Sequence, residues 1–206
     1  MGLGSYVFCE WDSVKKEYPE FQKALAELEA EAISRAETDW KISFGGLTPA
    51  EGQFGRTSIL PALFRGYGQV AATPPVAGVN CLTTWRQYLS ATGHQTILMG
   101  NRPGNVIPDD FKIAWIGLMF PNKQQQITEI RWQTSDRKFV RINIEELKSY
   151  NKPAIIFEEG FILNEKQAFE LYAYVKQPDY QRVVMLGSCF YRYIDRVLGA
   201  PGSAIQ

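Results

Sequence analysis

A single histidine, His94, limits the chemistry this chain can run. Protein sites for zinc and non-haem iron draw on several histidines, so neither an HExxH helix nor a 2-His-1-carboxylate triad can be built from it. Cys81, His94 and Asp110 together offer ligand-type atoms but no ligand spacing, and the expectation is no metal and no cofactor. Nucleophilic catalysis by Ser or Cys would need His94 as base and a third group to orient it. The nearest approach to a GxSxG elbow is MLGSCF around Cys189, which lacks the second glycine and reads as a packed strand.

The remaining motifs read the same way. GNRPGN, Gly100 to Asn105, lacks the Lys and Ser/Thr of a phosphate-binding loop, and Pro103 removes one of the amides such a cradle uses. It reads as a turn, and no GxGxxG fingerprint accompanies it. Glu158 and Glu159 are adjacent, as are Asp109 and Asp110. On a strand, adjacent side chains leave by opposite faces and cannot converge as an acid/base pair. The expectation is a protein that assembles or binds rather than an enzyme. An enzyme with an unfamiliar carboxylate site would instead need a deep pocket with convergent Asp or Glu of perturbed pKa.

Aromatic residues gather near the C-terminal end: Phe169, Tyr172, Tyr174, Tyr180, Phe190, Tyr191 and Tyr193. They could stack on sugars or bases, but packing in a core or between subunits accounts for them more simply. Arg182, Arg192 and Arg196 accompany them, offset by Asp179 and Asp195. Over the whole chain 22 Lys and Arg balance 22 Asp and Glu, which gives no electrostatic reason to wrap nucleic acid or lie on an anionic membrane. The longest strongly apolar stretch, Ile113 to Phe120, is far shorter than the roughly 20 residues of a membrane helix. MGLGSYVFCEWDS has neither the basic nor the long apolar segment of a secretory signal, and Tyr6 stands where a myristoylation motif wants Ser or Thr. Cys9, Cys81 and Cys189 are odd in number and widely spaced, as in thiols kept in a reducing cytosol.

The elements that must position these residues fall into three stretches of a 206-residue chain long enough to bury one sizeable core. Residues 1–44 form an N-terminal segment with an acidic amphipathic helix. Tyr18, Phe21, Leu25, Leu28, Ala32, Ala36 and Trp40 recur at three- and four-residue steps, Pro19 suits the first turn, and ALAELEAEAISRAE is rich in helix formers. Residues 45–110 form a Gly/Pro-rich arm that partly joins the sandwich, with one short helix expected over Thr84 to Ala91. Its few charges and interspersed Phe, Leu, Tyr and Trp suit a segment lying against its own domain or a neighbouring copy. Its cations Arg56, Arg65, Arg86 and Arg102 are all arginines, as buried interfaces prefer, and with Phe64 and Tyr67 they form the expected subunit interface.

Residues 111–206 read as an antiparallel β module. FKIAWIGLMF, ITEIRWQ, KFVRINI, PAIIFE, QAFELYAYVK and QRVVMLGSCFYRYI are six strand candidates, and Ile127 to Ile144 reads as a hairpin with Thr134 to Arg137 at its tip. Val140, Ile142 and Ile144 alternate with Arg141 and Asn143, the pattern of a sheet with one face buried. The fold class expected is mainly β: an antiparallel, jelly-roll-like sandwich with an N-terminal α-helix and an extended irregular arm.

In strand texture, Phe111 to Leu198 resembles the single jelly-roll capsid proteins of viruses, whose eight strands form a double sheet; the arm would supply the strands beyond six. The resemblance implies a shell subunit of a virion, assembled in the host cytoplasm from copies of itself and a possible second structural protein. It gives the acidic helix a protein-facing role, so that deleting Met1 to Trp40 should impair assembly and leave the β module folded. The competing reading is a carbohydrate- or ligand-binding sandwich, lectin- or adhesin-like, at home in a cytoplasmic protein. Burial of Trp85, Trp115 and Trp132 would weaken that reading, and a row of exposed rings in a groove would support it.

Overall fold

The computed structural model describes residues 6–9, 19–68, 81–135, 137–138, 141–149 and 152–192. The four-residue spacing in the N-terminal segment becomes helix α1 (Pro19–Trp40), whose Leu28, Ala32, Ala36 and Trp40 are buried. Tyr18, the first residue of the expected stripe, lies outside the described residues. Lys41 closes the helix in a left-handed conformation, φ 56°, with its N–H bonded to the Glu37 carbonyl at 2.9 Å.

The strands, in chain order, are β1 (Tyr6–Cys9), β2 (Phe44–Gly46), β3 (Phe54–Ser58), β4 (Phe64–Gly66), β5 (Arg86–Leu89), β6 (Gly93–Gly100) and β7 (Phe111–Met119). There follow β8 (Ile127–Thr134), β9 (Arg137–Lys138), β10 (Ile142–Asn143), the short helix α2 (Glu145–Ser149), β11 (Ala154–Leu163), β12 (Phe169–Val175), β13 (Asp179–Arg182) and β14 (Val184–Arg192). One sheet runs β1-β11-β7-β14-β3-β2 and a second runs β10-β8-β12-β6-β4, with β9 paired to β8; β13 and β5 form a separate ribbon.

Inside these sheets, β3-β14-β7-β11 and β6-β12-β8-β10 are antiparallel throughout. Numbering those eight strands along the chain gives orders 1-8-3-6 and 2-7-4-5. That is the strand order of a jelly roll. The six strand candidates after Phe111 supply six of the eight, with KFVRINI divided between β9 and β10. The hairpin has its tip where expected, with Thr134 opposite Arg137 and, further along, Ile142 opposite Ile130. Ile142 and Ile144 are buried and Arg141 and Asn143 exposed, while Val140 lies outside the described residues.

The core has two layers because the first sheet is covered on both faces. Toward the second sheet it sends Phe111, Ile113 and Trp115 of β7, Ile155 and Phe157 of β11, and Met185 and Cys189 of β14. Toward α1 it sends Ala114, Ile116, Ala154, Ile156, Leu186 and Phe190. Burial on both faces is why FKIAWIGLMF is an unbroken apolar run rather than an alternating one. At the centre, the Trp115 ring meets those of Trp132, Phe157 and Phe169 edge-on, at 5.2, 5.0 and 5.4 Å between centroids. Its indole N–H donates to the Gly117 carbonyl at 2.7 Å, so the buried polar atom is satisfied.

Two glycines make this packing possible. Gly160 lies under α1, where a Cβ would run into Leu28. Gly187 sits at φ 139°, where the register of β14 slips against β7 and a Cβ would meet the Ala114 backbone.

Residues 45–110 depart most from expectation. The stretch over Thr84 to Ala91 is extended, not helical: β5 pairs residue for residue with β13, with Arg86 and Tyr88 outward and Leu89 inward. Its period of two outweighed its helix-compatible composition. Regular structure is also denser than Gly and Pro suggested, since β3 and β6 are two of the eight jelly-roll strands. The segment ATPPVAG lies outside the described residues.

Candidate functional site: an arginine–tyrosine ribbon and an open sheet face

The six residues expected at a subunit interface are scattered by the fold. Phe64 and Arg65 are buried inside the chain, which corrects their expected place at its surface. Phe64 packs edge-on against Phe169 at 5.7 Å, and the Arg65 guanidinium donates to the Gly100 carbonyl at 3.1 Å and to Asn105 Oδ1 at 2.5 Å. Burial holds the Arg65 pKa below its ordinary value. Arg56 pairs with Glu29 of α1 at 2.6 Å, and the same carboxylate accepts from the Ser188 hydroxyl, so Arg56 fastens the helix to the sheet. Tyr67 and Arg102 are half-buried; the first accepts from the Ser90 hydroxyl at 3.3 Å, and the second forms an isolated bridge with Val106. Only Arg86 of the six stands exposed.

Arg86 belongs to a compact arrangement on the β5–β13 ribbon. Tyr88 and Tyr180 are opposite each other across it, as are Arg86 and Arg182. The two tyrosine rings lie 5.0 Å apart at 51°, and the Arg86 guanidinium stands 4.5 Å over the Tyr180 ring. Both rings keep half their surface in water, 51% for Tyr88 and 52% for Tyr180. The opposite face is anchored: Leu89 and Gln181 are buried, Asn122 donates to the Tyr180 carbonyl at 2.7 Å, and Gln181 accepts from the Gln126 amide at 3.1 Å. A rigid base therefore presents two cations and two rings. Neither Arg86 nor Arg182 has a carboxylate partner among the described residues.

The outer face of the second sheet is a second arrangement of polar and aromatic groups. His94, Tyr174, Glu129 and Asn143 form one cross-strand row, and Thr96, Tyr172 and Arg131 the next. His94 meets Tyr174 edge-on at 5.1 Å and lies 3.9 Å from Glu129, which also faces Arg141 at 3.5 Å. Arg131 stacks over Tyr172 at 4.9 Å. The Tyr172 hydroxyl donates to Glu170, which also accepts from Asn105, and burial with that bond pushes the phenol up to about 12.

The candidate reactive groups are dispersed. His94 is the second residue of β6, whereas Asp110 lies beyond the far end of that strand in the chain. Among the described residues no three His, Cys, Asp or Glu gather to hold a metal. Cys189 is fully buried, and burial pushes its thiol up, away from the thiolate a nucleophile needs. Asp110 is pushed up by burial, opposed by Arg192 at 3.7 Å and reinforced by Glu165 and Asp109. Glu158 and Glu159 are both exposed, because a register shift in β11 between Ile156 and Phe161 breaks the alternation that should have separated them.

Fold and surface together define a jelly-roll sandwich clasped by an N-terminal helix. Comparison with protein-family models, curated proteins and solved structures gave no match. Among the described residues no helix is long and apolar enough to cross a membrane. Sequence reasoning missed the ribbon, although Arg86 and Tyr88 alternating with Gln87 and Leu89 was its signal.

Proposed function

We propose that this chain is a structural subunit that assembles with copies of itself into a larger shell, the shell of a virion. The strand order carries this reading: 1-8-3-6 facing 2-7-4-5 is the double sheet that the capsid resemblance implies. Because jelly rolls also serve lectins and enzymes, the fold alone does not choose among functions. The exposed arginine–tyrosine ribbon adds support, since Arg and Tyr are enriched in protein interfaces and at their energetic centres. Light scattering after size-exclusion chromatography, over a concentration series and with electron microscopy of any large fraction, tests it. Large uniform particles or sheets are expected; a monomer at every concentration overturns the reading for the chain alone and leaves a co-assembling second protein to be tried.

A ligand-binding sandwich is the second reading, favoured by the His94, Tyr174, Tyr172 and Arg131 rows on the second sheet. Burial of Trp85, Trp115 and Trp132 weighs against it, because these large rings are then spent on the core. A glycan array separates the two: saturable binding lost in Tyr174→Ala would favour the second.

A further inference from the structure

We infer that the β5–β13 ribbon is one half of a head-to-tail contact between copies of this chain, and that its other half is the Glu158–Glu159 bulge of the next copy. This rests on the assembly reading and names the surfaces that would carry it.

The ribbon has the composition and rigidity of an interface centre. Tyr88 and Tyr180 are half in water, Arg86 and Arg182 flank them without carboxylate partners among the described residues, and the buried side of the ribbon anchors the backbone that carries all four. Little backbone freedom remains to be lost on docking. A two-fold contact of ribbon on ribbon would bring four arginines into one interface with no carboxylate from the ribbon faces to balance them, which like-charge repulsion disfavours. The matching surface must therefore be acidic and lie elsewhere on the chain.

Glu158 and Glu159 fit that requirement. They are adjacent, both exposed, and without an ion pair among the described residues, because the β11 register shift turns both toward water. The bulge lies on the helix-covered sheet, and Gly160 beside it touches Leu28 of α1, so its backbone is held in place. Ribbon and bulge do not overlap. One copy can use its ribbon on one neighbour and its bulge on another, as a heterologous contact that closes into rings or extends into sheets requires.

Charge reversal tests this on the full chain, with self-association measured by sedimentation velocity over a concentration series. R86E/R182E and E158R/E159R are each expected to self-associate about 100-fold more weakly than the wild type, from like charges brought together. An equimolar mixture of the two should recover association, since every ribbon then meets a bulge of opposite sign. Should either reversal lower the melting temperature, R86Q/R182Q and E158Q/E159Q replace them: each alone should associate more weakly, and an equimolar mixture should recover pairs, through the intact ribbon of one variant and the intact bulge of the other, without extending to larger species. Wild-type assembly unaffected by these changes, or a folded mixture that fails to recover, overturns the contact and leaves the assembly reading standing. A wild type that stays monomeric overturns both. Binding of a fluorescein-labelled oligothymidylate that is lost in R86E/R182E while self-association is unchanged overturns the contact and assigns the ribbon to nucleic acid.

Discussion

The Lys112 ammonium lies 2.5 Å from Asp39 Oδ2, so a fully buried lysine of β7 finds its counter-charge at the last turn of α1. The same nitrogen stands 3.4 Å from Asn164 Oδ1 and 5.6 Å from the centre of the Trp40 ring. An ammonium with no exposed surface depends on such partners, because removing one leaves its desolvation uncompensated. Asp39→Asn should lower stability by about 1–3 kcal/mol, less than for a fully buried pair because Asp39 is half in water. Lys112→Met removes the charge along with its need and should cost less. Urea unfolding of the two variants tests the ordering; equal or reversed losses would mean that the pair does not fasten the helix.

The helix itself is part of the core. The stripe read from the sequence fits Ala32 and Ala36 closely over Ala114, Ile116 and Ile156, so a chain lacking Met1 to Trp40 would expose the apolar outer face of the first sheet. This changes the expectation that the β module would stand without it. The truncated chain should lose its cooperative melting transition and bind a hydrophobic dye; a sharp transition near the wild-type temperature would show the sheet to be self-sufficient.

Strands with strong periodicity or long apolar runs were legible in the sequence, as was the helix. The arm was not, because β3 and β4 are five and three residues long and take their hydrogen bonds from β14 and β6, far away in the chain. Arginine was a misleading sign for a related reason. A residue suited to a buried interface is equally suited to the chain's own interior, and Arg65 found its partners at Gly100 and Asn105. The bulge that exposes both Glu158 and Glu159 depends on pairing with β7, which no local pattern reveals.

Thiol chemistry should divide the cysteines. Cys189 is completely buried and its thiol is pushed up by burial, whereas Cys81 is partly exposed. Iodoacetamide on the native protein at neutral pH should alkylate Cys81 and leave Cys189 unmodified until denaturant is added, as read by peptide mass spectrometry. Native alkylation of Cys189 at a rate like that of Cys81 would contradict its packing between the sheets.

Alkaline titration probes the outer face of the second sheet. The Tyr172 phenol is pushed from 10.0 to about 12, first by burial and then by its bond to Glu170, which favours the protonated form. A pKa raised on folding contributes stability that is fully present below the unfolded value and is lost as pH rises through the folded one. Tyr172 therefore supports the fold below about pH 10 and ceases to do so between about pH 10 and 12. Tyr172→Phe should unfold with a shallower loss of stability across that window, and should lack a tyrosinate that appears near about pH 12 in the ultraviolet absorbance of the wild type. Glu170→Gln removes the carboxylate but not the burial, so in that variant the same phenol should ionise at lower pH than in the wild type while staying above an exposed tyrosine. A wild-type titration in which all tyrosines ionise together near pH 10 before unfolding would refute the Tyr172–Glu170 bond.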